Sequence, residues 1–474
     1  MITSLTLTPD NIEGLTSEEK VKLKELIYVF NNHVSKNFEK DKYYEGHITL
    51  EEVNLGIALP NGMKNLEIGC EWGAKCVDVL AARSQFDGFV GETGEDAELL
   101  KDIAEKNHLI SEYMKACKDE LKYGCTFATL SADEELGCKI RFHSPCTASA
   151  LWSGEKNRLD CGLAIIDTVY DESDKTWQPS LINMYTDTDV IVLTRTGYYW
   201  IAERHPHIMG KPLMVPLVWA PTSKKPFGRS RIKEPVRRLI QGYVRTIANA
   251  TIGLEFATSP QKYLLGVSDD QYDAVINNKF KQYVGSIITS TTNPETGEKP
   301  TFGQLSQGSI EPHVQMVRLL ATQFSAATGL SVSDTGVIND ANPTSSDAIL
   351  AQTQTLVLLA EQLNKANGDA LKTIGTMAVA ISQGVSIDDL NNEDVNVIAH
   401  FKNPAMPSVS VTSDAAIKIA SVRQGFAKTD TFLEMIGFDQ ADIRRIKGQE
   451  RLVEGLQILS QEFNANESQS RRME

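Results

Sequence analysis

Between Pro226 and Phe256 the chain reads PFGRSRIKEPVRRLIQGYVRTIANATIGLEF, and this stretch restricts the possible folds most strongly. It opens on a turn, Pro226-Phe227-Gly228, and offers Ser230 as an N-cap. Apolar residues then recur at helical spacing: Ile232, Val236, Leu239, Ile240, Tyr243, Ile247 and Leu254. The pattern predicts one helix of roughly 24 residues, about 36 Å long. A second helical run follows Pro312, with Val314, Val317, Leu320, Ala321 and Phe324 on one face and Gly329 as its C-terminal stop. Residues 257–309 between them read as a small insert.

The totals say what kind of protein can carry such a pair. A chain of 474 residues, 41% hydrophobic, has room for about three domains with sizeable cores. Its net charge of −15 argues against tight, sequence-independent nucleic-acid binding, which needs a surplus of Lys and Arg, though not against a protein that lets DNA pass. No apolar run reaches the 18 or so residues of a membrane span, and residues 1–11 lack a signal peptide's basic-then-apolar plan, so a cytosolic, non-membrane protein is expected. The seven cysteines (70, 76, 117, 125, 138, 146 and 161) include no CxxC pair and read as free buried thiols. Cys138 and Cys146 near His143 have the wrong spacing for a zinc knuckle.

Enzyme signatures are missing. No P-loop, dinucleotide fingerprint, HExxH or nucleophile elbow occurs, and the glycine cluster Gly88-Phe89-Val90-Gly91-Glu92-Thr93-Gly94 is misspaced and acidic where phosphate would sit. Glu134-Glu135 and Asp388-Asp389 read as solvated faces rather than metal ligands. No catalytic residue, metal or cofactor is expected.

Taken in order, Thr16-Ser17-Glu18-Glu19 caps a helix over 16–40, and Tyr43-Tyr44-Glu45-Gly46 ends it. Residues 71–89 are expected as a helix with Trp72, Cys76, Val79 and Leu80 inward and a strand-like exit at Gly88-Phe89-Val90. Helices at 95–106 and 109–123 follow, divided by Asn107-His108. From Gly124 the period falls towards two. Runs at 125–131, 138–143, 161–170, 180–185, 189–194 and 198–203 predict a β-rich module with a hairpin turn at Thr196-Gly197. His205-Pro206-His207 has no third ligand nearby and reads as loop. Residues 213–219, broken by Pro216, fit an edge strand.

The insert predicts strands at 263–267 and 283–289, a short helix at 269–280 and a turn at 293–297. Residues 331–344 have no regular period. Ser345-Ser346-Asp347 caps a long helix from Ala348 to about Ala366, which Asn367-Gly368 kinks or ends before helix resumes over 370–383. Residues 395–401 are a strand expected to return to the β-rich module. Residues 413–423, 429–436 and 440–462 are helical, and 464–474 form a polar, disordered tail.

One charge feature stands out. Lys224, Lys225, Arg229, Arg231, Lys233, Arg237, Arg238 and Arg245 face the single acid Glu234, making 224–246 net +7 inside an acidic chain. DNA phosphate, acidic faces of neighbouring subunits or of a capsid, and plain solvation are the candidates for neutralising it.

Phe227-Gly228-Arg229-Ser230-Arg231-Ile232, followed by Asn342-Pro343-Thr344-Ser345-Ser346-Asp347-Ala348-Ile349, resembles the portal proteins of tailed bacteriophages, siphophage type. Tyr43-Tyr44-Glu45-Gly46, Trp72, Val77-Asp78, Ala82-Arg83 and Gly88-Phe89 fall in that family's order. The resemblance implies an α+β fold assembled as a ring, most often of twelve copies. It implies a wing (1–225), stem helices (226–256 and 310–330), an α/β clip (257–309), a tunnel loop (331–344), a long helix returning to the wing (345–412) and a helical crown (413–463). It also implies a place at a capsid vertex of the virion, after assembly in the host cytoplasm. The implied partners are double-stranded DNA, the large terminase, the head-completion adaptor, and the major capsid and scaffolding proteins.

By position the resemblance puts Ser333, Asp334, Thr335, Val337, Asn339 and Asp340 on the tunnel. It puts Tyr263, Asp269, Asp270, Lys279, Lys281, Glu295 and Glu298 on the clip, where motor and adaptor dock, and Lys233, Arg237, Arg238 and Arg245 on the stem. A loop with Asp334 and Asp340 and no cation suits a wall past which phosphate slides, since each bound cation adds a cycle of counterion release and recapture. Two other readings are compatible with the residues: an enzyme acting on nucleic acid or an acidic metabolite through 224–246, and a non-viral ring or adaptor scaffold.

Overall fold

The computed structural model describes residues 2–49, 68–91, 95–172, 175–197, 199–258, 262–266, 297, 299, 301–304, 309–337, 346–390, 397–405, 409–423, 425–438, 442–453 and 455–456. In chain order the helices and strands are α1 (Ser17–Glu45), α2 (Trp72–Ala81), β1 (Phe86–Gly91), α3 (Glu95–Lys106), α4 (Leu109–Tyr123), β2 (Cys125–Asp133), β3 (Gly137–His143), β4 (Ala148–Ser153), β5 (Arg158–Asp171), β6 (Thr176–Tyr185), β7 (Asp189–Thr196), β8 (Tyr199–Pro206) and β9 (Met214–Val218). The rest are α5 (Glu234–Thr258), β10 (Lys262–Leu265), β11 (Thr301–Gln304), α6 (Glu311–Thr328), α7 (Ser346–Gln383), β12 (Val397–Phe401), α8 (Val409–Val422) and α9 (Asp430–Ile436), with residues 442–453 also helical. They form two compact units: Met1–Lys40, Val77–Arg231 and Ser345–Glu474 in the first, Asp41–Cys76 and Ile232–Thr344 in the second.

The first unit is built on an antiparallel five-stranded sheet, β4-β5-β6-β7-β8. One face carries Leu163, Ile165, Ile182, Met184, Ile191 and Leu193 against Leu23, Leu26, Ile27, Phe30 and Val34 of α1, spaced three and four apart so that one helix face is wholly apolar. α1 begins with a reciprocal capping box: Thr16 N–H donates to Glu19 Oε2 at 2.8 Å and Glu19 N–H to Thr16 Oγ1 at 3.3 Å. The helix runs to Glu45, beyond the expected 16–40. Gly197, at φ 65°, makes the expected turn between β7 and β8.

A three-stranded sheet, β3-β2-β9, puts Pro216 on its edge opposite Phe127, as a strand without that N–H requires. Four expectations are corrected in this unit. Residues 71–89 are not one helix: α2 stops at Ala81 and β1 follows. β12 pairs with β1, Phe89 opposite Ala399, rather than with the larger sheets. Asn367-Gly368 does not end a helix, because α7 runs unbroken for 38 residues and buries Asn367 completely. β8 extends to Pro206, so His205 and Pro206 belong to a strand. β4 was not anticipated.

The second unit contains α5, α6 and the antiparallel pair β10-β11. α5 begins at Glu234 with Pro235 in its first turn, where a missing N–H costs nothing. Ser230, expected as the cap, instead donates Oγ–H to the Lys122 carbonyl at 2.5 Å within the first unit. α6 ends as expected on Gly329, φ 74°, whose N–H donates to Ser325 O. The expected strand 283–289, helix 269–280 and turn tip before Gly297 lie outside the described residues, as do the Ser345 cap and the 464–474 tail.

Candidate functional site

α5 and α6 pack together, with Val236, Ile240, Val244 and Ala248 buried on α5, Ile232 just before it, and Leu320, Ala321, Phe324 and Thr328 buried on α6. Gly242 lets them close: a Cβ there would lie 3.2 Å from Leu320 Cδ2. Val314, expected on this inner face, is 41% exposed, as is Leu254 at 44%.

Trp72 binds this pair to the segment that follows it. Its ring lies 4.5 Å from Tyr243 and 4.9 Å from Phe324, centroid to centroid, and its Nε1–H donates to the Thr335 carbonyl at 3.1 Å. The backbone comes close here too, since a Cβ on Gly73 would meet the Tyr43 carbonyl oxygen at 1.9 Å. Burial raises the Tyr243 phenol and pushes the Cys70 thiol up to about 12, so both stay neutral near pH 7.

The expected tunnel segment is a structured turn where it is described. Ser333–Thr335 form one 3-10 turn closed by Gly336 at φ 76°. Asp334 Oδ2 accepts from Ser331 N–H at 3.0 Å and Ser331 Oγ–H at 2.7 Å, so this carboxylate first of all shapes its own loop. Ser333 is exposed and Val337 half-buried; Asn339 and Asp340 lie outside the described residues. Of the clip residues, Tyr263 is described and 44% exposed, whereas Asp269, Asp270, Lys279, Lys281, Glu295 and Glu298 lie outside.

The basic stretch divides into different environments. Arg231 is buried and stacks over Trp219 at 5.7 Å while its N–H donates to Leu121 O, a structural use in the first unit. In the second unit Arg237 stacks over Tyr43 at 5.7 Å, and Gln241 Nε2 donates to the Tyr43 hydroxyl. Arg238 pairs with Glu234 one turn earlier at 2.8 Å. Lys233 is exposed and Arg245 half-buried. Tyr43 and Trp72 were expected only to close or face a core; their partners are far away in sequence, and no local signal names them.

The remaining candidates fare plainly. Among the described residues no group of three His, Cys, Asp or Glu side chains could hold a metal, and no helix is long and apolar enough to cross a membrane. His207, just after β8, bonds the Thr186 carbonyl in the turn between β6 and β7, and the cysteines are free, six of them buried and Cys146 half-buried. A groove of about 510 Å³ in the first unit has Glu13 and Arg195 as its charged lining beside Tyr199 and Trp200.

A family model, phage portal protein, SPP1 Gp6-like, matches residues 23–453, and the chain belongs to that family. Solved structures similar to it include a chain in the virion of a native gene transfer agent (GTA) particle, 11% identical over 77% of this chain and 89% of that one, TM-score 0.45. A second is in the neck of the native GTA particle computed with C12 symmetry, 11% identical over 77% and 89%, TM-score 0.44. A third is in the neck of an empty GTA particle computed with C6 symmetry, 12% identical over 75% and 87%, TM-score 0.44. No curated protein sequence matches the chain.

Proposed function

We propose that this portal-family chain forms a ring, of about a dozen copies by family analogy, at one vertex of a virion capsid. Double-stranded DNA is packaged and ejected through its axis. The observation that carries the reading is the family match from 23 to 453, which spans both units and the long helix pair. The apolar surface left open on the second unit supports it. Leu254, Val314, Met316 and Leu319 on the helices, and Leu265 and Phe302 on β10 and β11, are 40–60% exposed, the kind of surface a neighbouring subunit covers.

In this reading residues 257–309 dock the large terminase and later the head-completion adaptor. Residues 331–344 line the channel, and the exposed cations of the stem meet neighbouring subunits or DNA. Capsid and scaffolding proteins receive the first unit in the host cytoplasm. The ATP-driven work belongs to the terminase. An enzyme acting through 224–246 is the weaker reading, because Arg231, Arg237 and Arg238 already stack on Trp219 and Tyr43 or pair with Glu234.

The test is packaging in vitro, with rings of this chain in proheads, the large terminase, ATP and double-stranded DNA. DNA should become nuclease-resistant with the wild-type ring, and Asp340→Lys should slow or stall packaging with assembly intact. Intact rings that protect no DNA would overturn the proposal.

A further inference from the structure

Helix α4 carries a carboxyl group that the portal reading does not use. Glu120 is 0% exposed, and its Oε2 accepts from Asn367 Nδ2 of α7 at 2.7 Å. The same Nδ2 lies 2.9 Å from the Tyr113 hydroxyl, which pairs at 2.8 Å with Ser84 Oγ. Tyr113 and Asn367 are also 0% exposed. Glu120 Oε1 and Asn367 Oδ1 have no hydrogen-bond partner among the described residues.

Among the described residues no cation pairs with Glu120, and aromatic rings close the site. Phe86 and Phe401 pack on Tyr113 with centroids 5.6 and 5.7 Å away, from β1 and β12. The titratable groups that bear on Glu120 are Tyr113 and Cys117 of its own helix and Cys125 of β2, with the neutral amide of Asn367 on α7. The cations felt in this neighbourhood are Lys40 of α1, which acts on Cys125, and Lys118 of α4, which acts on Cys117. Burial pushes Glu120 up to about 8, Cys125 up to about 12, and Tyr113 and Cys117 upward, so Glu120 alone of these titrates near neutral pH. A glutamine would make the same bond without an ionisable group; glutamate makes the contact depend on a proton.

We propose that Glu120 and Asn367 form a proton-dependent latch between α4 and α7, closed while Glu120 carries its proton and loosened when it loses it. A neutral carboxyl keeps the one bond that Oε2 accepts from Asn367 Nδ2 without burying a charge. An ionised one is a buried charge that the Asn367 bond offsets only in part, and its escape to water requires the Glu120–Asn367 contact to open. α7 is the helix that follows residues 331–344 in the chain, and it also packs on β2, β3, β9 and β12. A change at this contact therefore bears on the β3-β2-β9 sheet and on β12.

The sign follows from linkage. Unfolded, Glu120 titrates near 4.5; folded, near 8. The folded state therefore holds the extra proton between those values, and its stability falls as pH rises through that window, then levels where both states are ionised. The experiment compares full-length wild type with Glu120→Gln by chemical denaturation and by hydrogen exchange, corrected for intrinsic rate, from pH 5 to 9. Relative to the variant, the wild-type folding constant should fall by up to about three powers of ten across the window. Exchange in 109–123 and 360–375 should rise with pH in the wild type alone. A wild-type-to-variant difference that does not change with pH overturns the latch. Should Glu120→Gln not fold, wild-type exchange in these two segments decides alone: equal protection at pH 6.5 and 8.5 overturns it.

Discussion

Trp72 shows what a single side chain does here. It stacks on Tyr243 and Phe324 from two helices and holds the Thr335 carbonyl with its one donor, so packing and loop geometry meet at one residue. Trp72→Ala should cost the second unit about 3–5 kcal/mol in chemical denaturation. Trp72→Phe keeps most of the ring and loses the donor, so it should cost about 1 kcal/mol and speed hydrogen exchange selectively at 333–336. Equal effects from the two variants would mean that the hydrogen bond does not matter. Gly73→Ala, whose Cβ would meet the Tyr43 carbonyl, should lower the melting temperature with a loss of about 1–3 kcal/mol. At Gly228, φ 66°, a Cβ would lie 2.1 Å from Trp219 O, so the Phe227-Gly228-Arg229 step is legible as a backbone requirement. Gly329 and the Thr16–Glu19 box were legible for the same reason, because caps depend on neighbours three or four residues away. Trp72–Thr335, Arg231–Trp219 and Arg237–Tyr43 were not, because no local pattern encodes a partner so far along the chain.

At the scale of elements, helices and hairpins with strong periodicity were readable, and partners were not. Pro216 marked an edge strand because proline lacks the ladder donor. The choice of β1 as partner for β12 depends on a cluster of Phe86, Phe89, Tyr113 and Phe401 that exists only in the folded unit. Asn367-Gly368 looked like a break because both are poor helix formers, yet Asn367's bonds to Tyr113 and Glu120 outweigh that propensity.

The C-terminal helices meet the rest of the first unit through ion pairs: His400 lies 3.8 Å from Asp87 and 3.9 Å from Glu434 of α9, and Arg444 lies 3.1 Å from Glu105. Asp87 first, then Glu434, raises His400 above its usual 6.5, against burial and Lys402. A raised histidine lends stability that is fully present below about 6.5 and lost as pH rises through the folded value. Amide protection in 430–436 should therefore fall between pH 6 and 8, and His400→Asn should flatten that profile. An unchanged slope in the variant would remove His400 from the contact.

At the scale of the molecule, the chain returns to its first unit after residue 344, but the strand expected to rejoin the β-rich module pairs with β1 instead. In the ring proposed above, the exposed apolar residues of α5, α6, β10 and β11 are the surface that a neighbouring subunit covers. The most direct test is the mass and symmetry of the purified protein by native mass spectrometry and electron microscopy, alone and with scaffolding and capsid protein. A closed ring of around a dozen copies with an open axial channel is the expected result. A monomer or dimer that persists after scaffolding and capsid protein are added would contradict the ring.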